Sequence, residues 1–383
     1  MREIDVVTAI DMSGQPTGDT ERVDSWLHAL SSLGFSPIVH TIGLTIPSGD
    51  DASDRCVWSP EYSGHTKFAK LQRWVRSLIT FTPPWITART SRELSSYLAK
   101  SDRPALLLGG GAGVFAQAGA GWTHWDVVNV VGSSSKEEIS NAPTRLKWMY
   151  LIQHLLSLAY EKRILNQVNS VSVTTQEEFE RLHHLYGTKA DAVIPSIPPQ
   201  MAPLNSEVQR DPSKILWLGS FSYSANWHGL TKFLDDADPV LAEAGMHLLA
   251  VGSNLDEWQS EFLTQKYKSV KVIGFVKDLR EVAAHCSAIC IPLWAGAGLK
   301  IKTLVAAQLE IPIVGTRHAL EGFPEGSAVC MSDDVGALAN TLVKLKELDV
   351  STSTETASRF VRTELNSDVF AQKVREILLP VGS

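Results

Sequence analysis

Short apolar runs alternate with helical patterns along almost the whole length of this 383-residue chain. The run Ile4 to Ile10 predicts a strand. Thr20 to Leu33 predicts a helix, because its apolar residues recur three and four positions apart and Gly34 then ends the pattern. Consecutive parallel strands need a crossover about as long as a helix, so this alternation predicts parallel sheets and the α/β class. The further strands predicted in the first half are Pro37 to Ile42, Ala105 to Leu108, Asp126 to Val131, Ser170 to Thr174 and Ala192 to Ile194.

The chain is longer than one hydrophobic core usually supports, so two domains are expected. The segment Pro195 to Ser213 interrupts the alternation with five prolines and intervening polar residues, which is typical of a linker. A new series of strands and helices begins at Ile215. We therefore predict an N-terminal domain over residues 1–200, a C-terminal domain over 201–365, and a terminal helix in 366–383 that packs on one of them, with a crossing back to the N-terminal domain as one alternative.

The composition describes an ordinary globular protein, with 44% hydrophobic and 20% charged residues. The formal net charge of −7 argues against a general nucleic-acid binder. The four cysteines form no CxxC pair, and neither a metal site nor a cofactor site is predicted from them. The N-terminus lacks the long apolar segment of a signal peptide, and no apolar run is long enough to span a membrane. These features predict a cytoplasmic protein.

The segment from Ile289 to Pro324 carries the clearest candidate site. An apolar run, Ala288 to Leu293, predicts a buried strand, and the glycine turn Gly296-Ala297-Gly298 follows it. Lys300 and Lys302 stand where the next helix begins. Glycines let a backbone approach a phosphate closely, and a helix N-terminus with adjacent lysines favours negative charge. The spacing therefore predicts an anion site.

Other glycine turns occupy equivalent places after predicted strands. Gly18 precedes the first helix, Gly219-Ser220 follows the first strand of the second half, and Gly252-Ser253 follows a later one. Ligands of α/β proteins bind at the carboxyl ends of parallel strands and between domains. We therefore expect these turns to surround one cleft between the two domains.

Several segments together resemble the GT-B retaining glycosyltransferases of the large bacterial glycosyltransferase group 1 family, in particular its family 4-like members. The matching segments are WLGSFSYSANWHGLTKFLDDADPVL (217–241), VGSNLDEW (251–258), VIGFVKDLREVAAHCSAICIPLWAGAGLKIKTLVAA (272–307), PIVGTRHALEGFP (312–324), PTGDTERVDSWLHAL (16–30) and VSVTTQEEFERL (171–182). The similarity is strong over 215–325 and loose over 40–170. It implies two Rossmann-like domains facing across a cleft, in a transferase that moves a sugar from a nucleoside diphosphate donor to a hydroxyl acceptor with retention.

The resemblance also implies roles for particular residues. Lys300, helped by Lys302, would neutralise the leaving diphosphate, while Phe275 and Val276 would line the base pocket. The remaining donor-binding residues that it implies are Gly18, Gly219, Ser220, Asn226, His228, Gly252, Gly296, Ala297, Gly298, Leu299 and Val305. The donor would be a substrate, with no cofactor or metal, and the acceptor a glycan, a lipid-linked molecule or a small molecule.

The chain departs from the family pattern at its acidic positions. Val305 stands where the family usually has Glu in "L-E-A", Ala297 stands at the earlier acidic position, and Glu310 replaces a glycine. Glu321 is the nearest remaining carboxylate, and we include it with Lys300 in the predicted catalytic set. The missing acidic pair favours an alternative function, a noncatalytic subunit of the same fold that binds a glycan or stabilises a true transferase.

Two features of the N-terminal half leave alternatives open. The run Gly109 to Gly113 resembles a phosphate loop but lacks the Gly-Lys-Ser/Thr ending, so a flexible loop is the favoured interpretation. His124 lies with Asp126 before a predicted strand. It is the third predicted catalytic residue, facing the acceptor, although an ordinary structural role is the alternative.

The segment His65 to Trp85 predicts a basic amphipathic helix. Its basic residues are Lys67, Lys70, Arg73 and Arg76, and its apolar residues at helical spacing are Phe68, Leu71, Val75 and Leu78. One interpretation is contact with an anionic acceptor or with the inner face of a membrane as a peripheral protein. The other is a helix packed into the core with a solvated basic edge.

Overall fold

The computed structural model describes residues 2–9, 18–43, 55–62, 64, 66–118, 121–141, 144–188, 190–199, 201–204, 208–296 and 299–378. The chain divides into two compact units. Unit 1 comprises the residues up to Ser196 together with those from Ser367 onward, and unit 2 runs from Ile197 to Asn366. None of the helices in the described residues is both long enough and apolar enough to cross a membrane.

Unit 1 is built on a parallel sheet with strand order β3-β2-β1-β4-β5-β6-β7. Its elements are β1 (Arg2–Thr8), α1 (Gly18–Ser32), β2 (Phe35–Ile42), β3 (Arg55–Trp58), α2 (Lys67–Thr80), α3 (Pro84–Thr87), α4 (Arg92–Leu98), β4 (Ala105–Leu108), β5 (Thr123–Val127), α5 (Val131–Asn141), α6 (Lys147–Leu165), β6 (Ser170–Val173), α7 (Gln176–Tyr186) and β7 (Ala192–Val193). The central strands are buried along their length, as expected for a parallel sheet covered on both faces. The strand order reverses between β1 and β4.

Unit 2 repeats this architecture with strand order β10-β9-β8-β11-β12-β13, again parallel. Its elements are β8 (Asp211–Leu218), α8 (Ser224–Glu243), β9 (His247–Val251), α9 (Glu257–Lys266), β10 (Val270–Gly274), α10 (Leu279–Ala283), β11 (Cys286–Ile291), α11 (Ile301–Gln308), β12 (Ile313–Gly315), β13 (Cys330–Met331), α12 (Val335–Val343) and α13 (Ser351–Glu364). The order reverses between the adjacent strands β8 and β11, which makes their carboxyl ends the place where α/β folds bind ligands.

The last helix, α14 (Ser367–Leu378), packs against α1 of unit 1. The ring of Phe370 meets Trp26 edge-on at 5.7 Å between centroids, and the Arg22 guanidinium lies 5.9 Å from the same ring. The Lys373 ammonium donates a hydrogen bond to the Val193 carbonyl oxygen at 3.2 Å. The helix that follows unit 2 in the sequence therefore belongs structurally to unit 1.

Two sequence predictions missed element boundaries. The strand predicted over Asp126 to Val131 is β5, Thr123–Val127, because α5 already begins at Val131 and its apolar start resembles strand sequence. The predicted linker ended at Ser213, yet β8 begins at Asp211. Proline is tolerated at the start of a strand, so Pro212 does not prevent pairing there.

Candidate functional site

The reversal point of unit 2 brings two helix N-termini together. α8 follows β8 and α11 follows β11, and α8 packs so closely on the end of β11 that a Cβ at Gly229 would lie 2.1 Å from the Pro292 carbonyl oxygen. In the first turn of α11, the Lys302 ammonium donates a hydrogen bond of 2.5 Å to the side-chain oxygen of Asn226 in the first turn of α8. The buried Asn226 amide in turn donates to the Ser220 carbonyl oxygen at 3.0 Å. These contacts join the first turn of α11 to the first turn of α8 and to the loop after β8.

Lys300 lies immediately before α11 and is 6% exposed. Its Nζ is 3.3 Å from Oε2 of Glu321, which lies in the loop after the neighbouring strand β12. Nδ1 of His318 is 3.6 Å from the same carboxylate oxygen. The two loops therefore place one carboxylate between an ammonium and an imidazole, and Glu321 fixes the position of Lys300.

The electrostatics of this place favour an anionic ligand. Burial, together with the neighbouring charge of Lys300, lowers the pKa of Lys302 to about 7. Two lysines at a helix N-terminus also oppose the helix dipole, which has its positive end there. A bound anion would offset both the repulsion between the two lysines and their unfavourable interaction with the positive end of the helix dipole. A bound cation would increase both.

Glycines allow the loops around this place to pack tightly. A Cβ at Gly252 would lie 1.7 Å from the Gly219 carbonyl oxygen, so the loops after β8 and β9 touch through their backbones. The Asn254 amide donates to the Ser220 hydroxyl at 3.2 Å across the same loops. Gly296 has a φ of +112°, a backbone conformation that suits glycine, and a Cβ there would lie 3.2 Å from the Tyr223 hydroxyl. The predicted Ala297 and Gly298 lie outside the described residues.

The other predicted donor residues of unit 2 fall into two groups. Phe275 is exposed and Val276 is half-buried just after β10, and His228 is exposed on α8. Leu299 and Val305 are buried. Val305 lies in α11 with its side chain buried. Because this side chain has no polar atom, it cannot make the hydrogen bonds of the carboxylate that the family pattern has at this position.

A depression of about 370 Å³ opens beside Glu321. Trp294, Arg317, His318, Glu321 and Asp333 line it. The Trp294 indole donates to the Asp333 carbonyl oxygen at 3.2 Å, and the Arg317 amide donates to the Asp333 carboxylate at 3.1 Å. Of these residues, the sequence prediction named Glu321 alone. The usable signal was the spacing of His318 and Glu321, three residues apart in a loop directly after a strand.

The structure places the predicted catalytic His124 in the interior of unit 1. Its side chain is fully buried in β5, with Nδ1 3.0 Å from the Ser170 hydroxyl and Nε2 2.9 Å from the Ser172 hydroxyl. Burial lowers its pKa to about 4. Both ring nitrogens are occupied within the sheet, which argues against the predicted contact with an acceptor, and His124 is left out of the candidate site.

The neighbouring Asp126 is also structural. Its carboxylate accepts two hydrogen bonds from the Arg22 guanidinium, at 2.6 and 2.7 Å, and one from the Ser172 hydroxyl at 2.7 Å. The Arg22 charge is the main factor that lowers the pKa of Asp126 against the effect of burial. The pair ties α1 to the centre of the sheet, just beyond Gly18 at the start of α1. In the part of the chain that the structure describes, no three His, Cys, Asp or Glu side chains cluster to hold a metal ion.

Comparison with known proteins finds a family-model match within unit 2. Residues 212–347 match the family model of glycosyl transferases group 1. The matched region lies within unit 2 and contains Asn226, Lys300, Lys302, His318 and Glu321. No curated protein matches the chain.

Solved structures resemble the chain over its whole length. HepE of Anabaena in complex with UDP and glucose superposes with a TM-score of 0.70 at 12% identity, covering 99% of this chain and 100% of that one. The pneumococcal O-GlcNAc transferase GtfA in complex with UDP and GlcNAc gives 0.67 at 8% identity, with 99% of each chain covered. A TarM mutant of S. aureus in complex with fondaparinux, alpha-GlcNAc-glycerol and UDP gives 0.69 at 8% identity, covering 98% and 99%. The predicted fold class, α/β with two Rossmann-like domains, is confirmed.

Proposed function

We propose that the protein is a glycosyltransferase that moves a sugar from a nucleoside diphosphate donor to a hydroxyl group. The observation that carries the proposal is the buried Lys300 at the start of α11, paired with Glu321, inside the region that matches glycosyl transferases group 1. A diphosphate is the leaving group of such a transfer, and stabilising its developing charge is the main electrostatic task of the enzyme. A buried ammonium at a helix N-terminus performs that task without reorganising.

The other residues take roles that follow from their positions. Lys302 adds a second positive charge, held in place by Asn226, and the loop amides near Gly219 and Gly296 are positioned to approach phosphate or sugar oxygens. The exposed ring of Phe275 after β10 suits stacking on the base. Glu321 orients Lys300 before the donor binds. When the donor is bound, the Glu321 carboxylate accepts hydrogen bonds from hydroxyl groups of the sugar.

Three finer parts of the proposal concern the stereochemistry, the donor and the acceptor. Retention of configuration follows from the sequence resemblance to the family 4-like transferases. UDP-sugars are the first donors to test, because all three compared structures hold UDP. A glycan or other hydroxyl-bearing acceptor is proposed to bind unit 1. The family model matches unit 2, the half to which the sequence resemblance assigns the donor.

The test is a panel of nucleoside diphosphate sugars with different bases and sugars. Each is scored for thermal stabilisation and for release of nucleoside diphosphate, with and without hydroxyl acceptors. We expect one donor to stabilise the protein by about 2.7 kcal/mol at a hundred times its dissociation constant and to be turned over. The anomeric configuration of the product, read by NMR, tests retention. Binding without any turnover across acceptors would instead support the alternative of a noncatalytic subunit.

A further inference from the structure

Helix α2 packs on unit 1 with its small and polar face and presents its large apolar face outward. Ser77 is fully buried, and its hydroxyl lies 2.9 Å from the Thr87 hydroxyl. The large apolar side chains have exposed fractions between 49% and 69%. These residues, which we call the α2 apolar face, are Phe68, Leu71, Val75, Leu78 and Ile79.

The α2 apolar face forms one continuous stripe. At 3.6 residues per turn, Leu71, Val75 and Leu78 lie along one line of the helix, with Phe68 and Ile79 beside it. Phe81, directly after the helix, is exposed as well. The sequence-based alternative of a helix with this face packed into the core is therefore wrong. An exposed apolar surface of this kind usually marks a site of interaction.

Hydrogen bonds tie the helix to the segment that precedes it and, at its C-terminal end, to α6 of unit 1. The Arg73 guanidinium donates to the carbonyl oxygens of Tyr62 and Gly64 at 3.0 and 2.9 Å. At the other end, the Arg163 guanidinium of α6 donates to the Thr80 carbonyl oxygen and to the Thr82 hydroxyl. The outward orientation of the α2 apolar face is thus anchored. Arg73, predicted to lie on the basic edge, holds the helix in place.

Basic residues border the apolar face on both sides. Lys67 and Lys70 lie along one border and Arg76 along the other, and all three are exposed. The surrounding segment, residues 62–92, contains no Asp or Glu, although the whole chain has 42. Its basic residues are Lys67, Lys70, Arg73, Arg76, Arg89 and Arg92. A positively charged apolar helix in an otherwise acidic protein is complementary to an apolar surface that carries negative charge.

We propose that α2 docks unit 1 on the surface of an anionic phospholipid bilayer, lying in the interface with its apolar face among the acyl chains. Long basic side chains at the borders of such a helix reach the lipid phosphates while the apolar residues leave water. A second copy of the chain fits less well. In a two-fold dimer built on this face, the same basic borders would lie near each other and repel. The proposal does not depend on sugar transfer.

The experiment is co-sedimentation of the full chain with vesicles of phosphatidylcholine alone and of phosphatidylcholine with an equal part of phosphatidylglycerol. We expect binding to the anionic vesicles that falls as salt is added, because salt screens the lysine and arginine charges. Lys70→Glu with Arg76→Glu should lower the vesicle partition by about 30-fold or more, from about fivefold per basic residue. The matched control, Lys344→Glu with Lys346→Glu on the exposed surface of unit 2, should leave it unchanged.

A second pair of variants tests the apolar contribution. Leu71→Gln with Leu78→Gln should lower the partition on the order of tenfold per residue, because each side chain leaves the acyl region. Leu185→Gln with Leu348→Gln, two exposed leucines elsewhere, should not. All four changes are at exposed positions, and circular dichroism checks that the fold is kept. The proposal is overturned if the wild type ignores anionic vesicles, or if the α2 and control variants bind equally. It is also overturned if sedimentation without lipid shows a wild-type dimer that the Leu71 and Leu78 changes dissociate.

Discussion

Lys302 reaches across the strand-order reversal of unit 2 and donates a hydrogen bond to the side chain of Asn226 at 2.5 Å. The contact joins the first turns of α8 and α11, the two helices whose N-termini meet at the candidate donor site. Burial among these elements lowers the pKa of the lysine to about 7. Its charge at neutral pH therefore depends on what binds beside it.

Donor affinity should consequently depend on pH. A bound diphosphate raises the pKa of Lys302, so binding is tightest below pH 7, where the lysine is already protonated. Above pH 7, binding must take up a proton, and affinity should fall by up to about tenfold per pH unit until the pKa of the bound state is reached. Calorimetry with a nucleoside diphosphate sugar, whose phosphates do not titrate in this range, measures the effect.

Two variants of Lys302 sharpen this test. Lys302→Arg keeps its charge throughout the range, so the pH dependence should flatten. Lys302→Met should also flatten it, but with weaker binding at pH 6. A wild-type affinity that is constant from pH 6 to 9 would show that this lysine does not exchange a proton on donor binding.

The contact between Gly252 and Gly219 should tolerate no added side chain. Gly252→Ala places a methyl group 1.7 Å from the Gly219 carbonyl oxygen, so the loops after β8 and β9 must separate. We expect a loss of about 1–3 kcal/mol in the free energy of unfolding and a larger loss of donor affinity. Gly336→Ala in α12 is the control, expected within about 1 kcal/mol of wild type because alanine favours a helix. Denaturant titration of both variants measures their free energies of unfolding. Equal values would mean that the loops after β8 and β9 can accommodate the added methyl group.

His124 should make the stability of unit 1 sensitive to acid. Its pKa is about 4 in the folded protein, against 6.5 when unperturbed. Because the unfolded chain binds the proton first, the free energy of unfolding should fall as pH drops from about 6.5 to 4, by up to about 3 kcal/mol from this residue. His124→Asn keeps hydrogen-bonding capacity without titrating. Its unfolding free energy should vary less over this range, whereas an identical pH profile would assign the acid sensitivity to other groups.

The sequence predicted the alternation of strands and helices well because parallel sheets buried on both faces leave short, clearly apolar runs. It also named Lys300, Lys302 and Glu321, since a glycine turn before a helix is a local pattern; the structure brings Lys300 and Glu321 together, and the donor-binding roles of all three stay predictions. His318, Arg317, Trp294 and Asp333 were missed because they meet only when the loops after β11, β12 and β13 are folded. The catalytic role predicted for His124 stays a prediction that its burial argues against, and this burial likewise depends on how the neighbouring elements pack. A strand covered on both faces buries even its polar residues, and the two serines whose hydroxyl groups contact the His124 imidazole lie on the neighbouring strand β6.

For α2 the sequence predicted the helical periodicity but not which face of the helix packs on unit 1. An apolar stripe at helical spacing is the same in a helix that faces the core and in one that faces away from it. The small residue Ser77 decides the outcome, because it is buried against Thr87 in unit 1 and leaves the larger side chains on the outer face. Only the position of the neighbouring elements reveals that choice.

The most direct test of the proposed function is the rate of sugar transfer by Lys300→Ala, with a donor first identified for the wild type. Removing the ammonium should cost on the order of 2–4 kcal/mol of transition-state stabilisation, about 30- to 1,000-fold in kcat/KM. Lys344→Ala, an exposed lysine of the same unit, serves as the control and should retain wild-type kinetics. Transfer by Lys300→Ala at the wild-type rate, in a protein shown to be folded, would contradict the assignment of Lys300 to the leaving diphosphate.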